Sequence, residues 1–266
     1  MTGQSVSVTV MVCMAVSMVV SVLIPLFFFW YFRKKKKADI LPFFIGCAVF
    51  VLFALVLEQI LHTVVLLLSP AGQVIQENTV LLGIYGGLMA GLFEETGRFL
   101  AFRTVLKKYC GKDENALMYG AGHGGAESVL LLGVTMISNL VLSVMINSGQ
   151  TELLLAGLEG ETKRQMETAL SALSTVAAGD ILLSGVERLA AVTLHIALSV
   201  LVWFAVKQKG KWYLYPLAIL IHALVDFTAV LFKDAMPAAL LELLVVVMSA
   251  AAAGLAFYIW RKYRRE

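Results

Sequence analysis

The sequence has few charged residues and no stretch that suits a nucleic-acid partner. Asp, Glu, Lys and Arg make up 15% of the 266 residues, whereas 60% are hydrophobic and the mean hydropathy is +0.86. Soluble domains are ordinarily about 45–50% apolar. Basic patches with interleaved aromatic residues, which are typical of nucleic-acid binding, are missing. The composition therefore predicts a multi-pass protein of the cell (plasma) membrane, with the lipid bilayer as a partner and no nucleic acid.

Signals of a disulfide framework or of an ordinary zinc protease are also missing. The three cysteines, Cys13, Cys47 and Cys110, lack the spacing of metal ligands. The His-Glu-x-x-His motif does not occur. Because no Gly/Ser-rich linker divides the chain, we expect a single integral membrane domain over residues 1–266.

Seven apolar runs predict an all-α fold, a polytopic bundle of about seven transmembrane helices. Each run is long enough to cross the hydrocarbon core as a helix. Residues 147–180 form the one long polar connection, in which residues 162–176 have the composition of an interfacial helix. The predicted spans are residues 8–32, 40–68, 79–106, 116–146, 181–206, 212–232 and 238–260.

Lysine and arginine cluster on one side of this arrangement. No basic residue precedes the first span, so we expect a retained anchor rather than a cleaved signal peptide. The loops placed on one side hold 16 of the 21 Lys and Arg residues, and those on the other side hold three. The positive-inside rule then predicts the N-terminus outside, the C-terminus inside and residues 147–180 as an extracytoplasmic loop.

Small residues recur every four positions on two successive spans. Gly83, Gly87 and Gly91 lie on the third span, and Gly120 and Gly124 on the fourth. Such stripes let helix backbones approach closely. We therefore expect the third and fourth spans to contact each other.

Rare polar residues lie at similar depths in four of the spans. Counted from the basic ends, Glu94, Glu95, Glu127, His195 and His222 lie about 15–18 Å into the bilayer. Ionisable groups at such depth cost several kcal/mol, so their agreement predicts a shared functional site, with an apparent cytoplasmic bias in its access. The candidate catalytic residues are Glu94, Glu95, Arg98, His123, Glu127, His222 and Asp226.

Helical spacing predicts pairs within this set. Side chains four residues apart share a helix face. A carboxylate at that distance can neutralise an arginine or orient a histidine. The pairs at this spacing are Glu94–Arg98, His123–Glu127 and His222–Asp226.

The remaining polar residues of the spans are expected to be structural. Glu58 and His62 form a further pair at this spacing, near the outer surface. Glu187 and Arg188 are expected to form an ion pair, in which Glu58 could take part. Glu242 stands alone near an interface.

The set allows two kinds of hydrolytic chemistry. A glutamate beside histidines can act as a general base on water, and histidine and arginine donors can stabilise the resulting oxyanion. No serine or cysteine has an obvious nucleophile arrangement with a histidine. Alternatively, His123, His195 and His222 with a carboxylate could hold Zn²⁺. The residues leave metal-dependent and metal-free chemistry equally open.

Three motifs resemble those of the glutamate-dependent intramembrane proteases of the CPBP superfamily, which includes the type II CAAX prenyl endopeptidase. That superfamily carries Glu-Glu-x-x-x-Arg, Phe-x-x-x-His and His-x-x-x-Asn/Asp on successive core helices. Residues 94–98, 119–123 and 222–226 resemble these motifs, with the arginine one residue early and Tyr119 in place of Phe. Over nearly its whole length the chain is more similar to the YhfC family of predicted intramembrane (metallo)proteases. That likeness includes His123-Gly-Gly-Ala-Glu127 and Glu187-Arg188 with His195.

This resemblance implies hydrolysis of peptide bonds in membrane-anchored peptide or protein substrates. By analogy, Glu94 would activate water with the help of His123. The His222–Asp226 pair would stabilise the oxyanion, and the Glu95–Arg98 pair would hold the site together. Two other classes stay open: a proton- or ion-coupled transporter, and a non-catalytic membrane scaffold or immunity protein that recognises a partner with this polar core.

Overall fold

The chain folds into a bundle of long helices. The computed structural model describes residues 5–264, and all regular secondary structure within them is helical. In chain order the helices are α1 Val8–Lys34, α2 Leu41–Leu68, α3 Ala71–Glu77, α4 Thr79–Arg103, α5 Glu114–Asn147, α6 Thr151–Leu155, α7 Gly160–Thr175, α8 Ala178–Lys207, α9 Leu214–Phe232 and α10 Ala238–Tyr263.

Six of these helices are long and apolar enough to cross a membrane: α1, α2, α5, α8, α9 and α10. Helix α4 has 25 residues, a sufficient length, but it carries two glutamates and two arginines that lower its hydropathy. The all-α polytopic bundle is thus confirmed, and the predicted segments agree with helices to within three residues at each end. The count of seven spans and their orientation stay predictions.

The bundle has one basic end. Basic residues occupy the last turns of α1, α4, α8 and α10, where cations interact favourably with the helix dipole. Side chains join these termini: Arg264 lies 2.8 Å from Glu114 at the start of α5. Gln208, after α8, donates to the carbonyl oxygen of Tyr263 at 3.2 Å. The basic termini therefore meet on one side of the bundle, as the predicted topology requires.

A tightly packed core closes this basic end. The ring of Phe102 lies 4.7 Å from that of Tyr119 and 5.0 Å from that of Trp203, and all three side chains are buried. The Trp203 indole N–H donates to Asp113 at 2.8 Å, and Lys207 donates to the same oxygen at 2.5 Å. The side chains of Asp113, Trp203 and Lys207 are thus paired beside an aromatic core at this end of α8.

The glycine stripes contact different neighbours from those predicted. Helix α4 packs along α9, whereas α5 packs along α2 and α8. A Cβ atom on Gly87 would lie 2.4 Å from the carbonyl oxygen of Ala223 in α9. One on Gly120 would lie 2.5 Å from Cα of Ile196 in α8. The predicted contact between the third and fourth spans is present, for example between Phe102 and Tyr119, but the glycine stripes do not make it: they pack against α9 and α8 instead.

A matched pair of glycines tests this packing. A Cβ atom on Gly87 would collide with backbone, whereas one on the adjacent Gly86 meets nothing within 4 Å. We expect Gly87→Ala to lower the free energy of unfolding by about 1–3 kcal/mol, the usual cost of overpacking. Gly86→Ala is expected to be neutral or slightly stabilising. Thermal unfolding in detergent measures both, and equal melting temperatures would contradict the α4–α9 contact.

The polar connection between the fourth and fifth predicted spans is partly helical. Helix α7 confirms the helix expected at residues 162–176, while α3 and the short α6 were not predicted. Leu170 and Leu173 of α7 are buried in an apolar cluster with Met14 of α1 and Leu132 of α5. The connection therefore folds back onto the bundle.

A pH-sensitive contact ties the α1–α2 loop to α5 outside the spans. Lys112 donates to Asp39 at 2.9 Å, and the buried Asn115 donates to its other oxygen at 2.9 Å. These bonds, that from Lys112 first, lower the pKa of Asp39. A lowered carboxyl pKa contributes stability above the ordinary pKa of about 3.9 and loses it as pH falls through the folded value.

We expect Asp39→Asn to reduce stability by less than about 1 kcal/mol at neutral pH. The difference from wild type should shrink as pH falls below about 4. Melting temperature against pH for the two proteins measures this. A difference that stays constant down to acidic pH would show that the Asp39 charge plays no part.

Candidate active site

Four helices bring the predicted polar residues into contact. Helix α4 carries Glu94, Glu95 and Arg98; α5 carries His123 and Glu127; α8 carries His195; and α9 carries His222 and Asp226. The ring of His195 lies 4.8 Å from that of His123 and 5.2 Å from that of His222. The common layer expected from span depths is thus one cluster of contacting side chains.

Glu94 joins the buried cluster to a cavity. Its Oε2 lies 2.7 Å from Nε2 of His123 and 4.0 Å from Nδ1 of His195. Glu94 is 7% exposed and lines the cavity, whereas His123 is fully buried. The histidine therefore orients a carboxylate that water can reach.

Glu95, rather than Glu94, is the partner of Arg98. The Arg98 guanidinium donates to Glu95 three residues earlier, and both side chains are fully buried. Arg98 also contacts Nδ1 of His195 at 3.0 Å, and Glu95 contacts Nδ1 of His222 at 2.9 Å. The Glu94–Arg98 pair expected from spacing is wrong, because Arg98 turns towards α8, whereas the Glu95–Arg98 pair that the resemblance implied is present.

Glu127 takes part in a second charged group instead of binding His123. Arg188 of α8 donates to Glu127 at 2.6 Å and also to Glu187. The second carboxylate oxygen of Glu127 lies 2.6 Å from Nε2 of His195. The expected His123–Glu127 pair is wrong: His123 binds Glu94, and α5 continues from Ser128 with a wider π-helical turn.

Two further expected pairs are present near the cavity. Glu187 binds Arg188 as predicted, and Asp226 lies 3.5 Å from Nε2 of His222. Nδ1 of His222 binds Glu95, so the ring connects the buried ion pair with the cavity.

Glu58 remains apart from Arg188. It lies 3.1 Å from Nε2 of His62, whose Nδ1 lies 3.0 Å from the Tyr85 hydroxyl. The predicted Glu58–His62 pair is therefore present, while the suggested link to Arg188 is absent.

A cavity of about 480 Å³ extends from the cluster away from the basic end. Its lining includes Arg188, which lies 19 residues before Lys207 on α8, or about 28 Å along the helix. Lys233 at the end of α9 and Glu242 near the start of α10 also line it. The cavity therefore lies on the side away from the basic end, and the expected cytoplasmic bias in access stays a prediction, as does the orientation of the bundle.

Seven polar residues of the cavity lie outside the predicted site. The sequence indicated a structural role for Glu58, Glu187, Arg188 and Glu242, and no pattern singled out Gln59, Lys233 or Ser249. The spacing of Glu242 and Ser249, seven residues apart on one helix, was the available signal. It was weak because no further ionisable residue follows Glu242 within α10 until its last turn.

The cluster contains donors of the kinds that bind zinc. Zn²⁺ sites in proteins use imidazole nitrogens and carboxylate oxygens. Glu94, His123 and His195 each place one such atom within 4.8 Å of the others, and all three are buried. These residues fit a zinc ion in type and spacing. A second group, Glu95 with His195 and His222, fits poorly because Arg98 already binds its carboxylate.

Comparisons with known proteins agree with the motifs. The family model described as "YhfC intramembrane metalloprotease" matches residues 20–248. The chain is also 36% identical, over 247 residues, to a Bacillus subtilis protein named "Uncharacterized membrane protein YhfC". That alignment covers 92% of this chain and 94% of the relative. No solved structure matches the chain.

Proposed function

Because this chain belongs to the YhfC intramembrane metalloprotease family, we propose that it is an intramembrane endopeptidase that hydrolyses membrane-anchored substrates. The observation that carries the proposal is the position of Glu94, which lines the cavity and bonds a fully buried histidine. His123 holds the carboxylate in place from within the bundle, and the carboxylate faces the cavity, where water can reach it. That is the arrangement a general base for water requires.

Glu94 takes a proton from the water that attacks the peptide carbonyl. His123, at 2.7 Å, fixes the orientation of the carboxylate, so little reorganisation is needed when the proton moves. The proton then passes to the nitrogen of the departing amine, which completes hydrolysis without a covalent intermediate.

His222 faces the same cavity and supports the oxyanion. Asp226, at 3.5 Å, orients its ring from one side and Glu95 from the other. Preorganised donors of this kind stabilise the developing negative charge in a water-poor site. The Glu95–Arg98 pair is fully buried and keeps this ring and that of His195 in position.

Zinc is compatible with this proposal. Glu94, His123 and His195 would hold the ion, and Glu94 would then serve as a ligand in place of its role as general base. When bound, zinc would polarise water and lower its pKa towards neutrality. The roles of His222, Asp226 and the Glu95–Arg98 pair are the same with or without it.

The proposal is tested by incubating the purified protein in detergent with a library of membrane-anchored peptides. Mass spectrometry is expected to detect products cut within or beside the apolar segment. Parallel reactions with a strong chelator, and with zinc restored afterwards, measure dependence on metal. A folded protein that cuts no peptide, yet moves protons or solute across sealed vesicles, would contradict the proposal and indicate a transporter.

A further inference from the structure

The wall of the cavity carries an excess of carboxylates. Two permanently cationic side chains, Arg188 and Lys233, lie on the same wall. The carboxylates that line it are Glu58, Glu94, Glu127, Glu187, Asp226 and Glu242.

Most of these carboxylates already have partners. Arg188 binds Glu127 and Glu187, His62 binds Glu58, and His123 binds Glu94. Asp226 has only the longer contact with His222, at 3.5 Å. Glu242 is different, because its Oε2 is shielded from solvent and has no hydrogen-bond partner within residues 5–264.

One face of α10 places a second unpartnered group in the cavity. Glu242, Val245 and Ser249 follow the spacing of a single helix face, and all three line the cavity. Ser249 is 1% exposed, and its Oγ also lacks a partner in the described part of the chain. Leaving a buried polar atom without a partner is unfavourable, so two such atoms on one face indicate a ligand that satisfies them.

We propose that Glu242 and Ser249 form a subsite for a lysine or arginine side chain of the substrate, close to the bond that is cut. The inference rests on the proposed endopeptidase function and adds its substrate class. A basic side chain supplies the donors that both acceptors lack. Val245, between them on the same face, contacts the aliphatic part of such a side chain.

The size and charge of the cavity agree with this substrate. A volume of about 480 Å³ is within the range of ligand-binding pockets and admits a segment of peptide rather than a single ion. An acidic side chain of a substrate would meet repulsion from Glu242, whose Oε2 has no partner in the described part of the chain. The subsite therefore favours substrates with a basic side chain at this position and disfavours those with an acidic one.

The test compares membrane-anchored peptides that differ at one position near the cleaved bond: lysine, norleucine or glutamate. We expect wild type to prefer lysine over norleucine by about tenfold in kcat/KM. In Glu242→Gln this ratio should fall towards one. The control Glu161→Gln changes an exposed glutamate on α7 and should keep the wild-type ratio. Ser249→Ala, which removes only a hydroxyl group, serves as the second variant if Glu242→Gln fails to fold.

Fluorescence anisotropy with the same peptides measures binding without cleavage, which separates the two proposals. Lysine-selective binding without cleavage would support the subsite and overturn the endopeptidase. Cleavage without charge preference in wild type would overturn the subsite and leave the endopeptidase intact. An unchanged lysine preference in Glu242→Gln and Ser249→Ala would overturn the assignment of the subsite to α10.

Discussion

Glu94→Gln is expected to reduce peptide hydrolysis by about 10²–10⁴-fold, the usual contribution of a general base. Glutamine has nearly the same shape and can still bond His123, but it cannot take a proton from water. Steady-state cleavage of a membrane-anchored peptide measures the loss. The melting temperature should stay close to that of wild type, because the hydrogen bond to His123 can be retained.

The matched control for this prediction is Glu152→Gln, which makes the same chemical change at an exposed position of α6. It should leave the rate unchanged. A Glu94→Gln protein that cuts at the wild-type rate would show that another group activates water. If the chain were a scaffold, Glu94→Gln would leave its partner binding intact and there would be no hydrolysis to lose.

Arg98→Met is expected to lower the free energy of unfolding by about 3–5 kcal/mol, the cost of breaking a buried ion pair from one side. Arg98 and Glu95 are fully buried, so the variant leaves a carboxylate without its counter-ion in the core. The variant also removes the 3.0 Å contact with His195. Chemical or thermal unfolding in detergent measures the change.

Two further variants decide whether charge, rather than lost volume, causes this effect. Arg103→Met makes the same substitution at an exposed position on the same helix and should be close to neutral. The double variant Glu95→Gln/Arg98→Met removes both charges and should be more stable than Arg98→Met alone. A double variant that is less stable than the single one would contradict the ion pair as the source of stability.

The helices could be predicted from sequence because membrane spans are specified locally. Long apolar runs ended by lysine and arginine determine where each helix lies, independently of what it packs against. The depth of each polar residue follows from the number of residues between it and the basic end of its helix. For that reason the common layer of Glu94, Glu95, Glu127, His195 and His222 could be predicted from the residues alone.

Partner choice within the cluster could not be predicted in this way. Helical spacing allows Arg98 to reach Glu94 or Glu95 almost equally. In the structure Arg98 binds Glu95 and also contacts His195 of α8. Glu127 is likewise held by Arg188 from another helix. Alternative side-chain pairs on one helix surface differ in stability by only a few tenths of a kcal/mol. A buried contact with a neighbouring helix outweighs such a difference.

The helices that the glycine stripes contact could not be predicted for a related reason. A stripe of small residues shows that some helix approaches closely, but not which one. The prediction took the next span along the chain, whereas α4 packs on α9. Depth counts place residues along the membrane normal but do not show which side is closed; that depends on Phe102, Tyr119 and Trp203.

The central claim is that this chain hydrolyses peptide bonds with water directly. The most direct measurement is mass spectrometry of wild type and a membrane-anchored peptide during turnover, recording products and protein together. We expect two fragments whose masses sum to that of the peptide plus one water, while the mass of the protein stays unchanged throughout. A protein that gains the mass of a peptide fragment would contradict direct attack by water, and an intact peptide beside folded protein would contradict the protease.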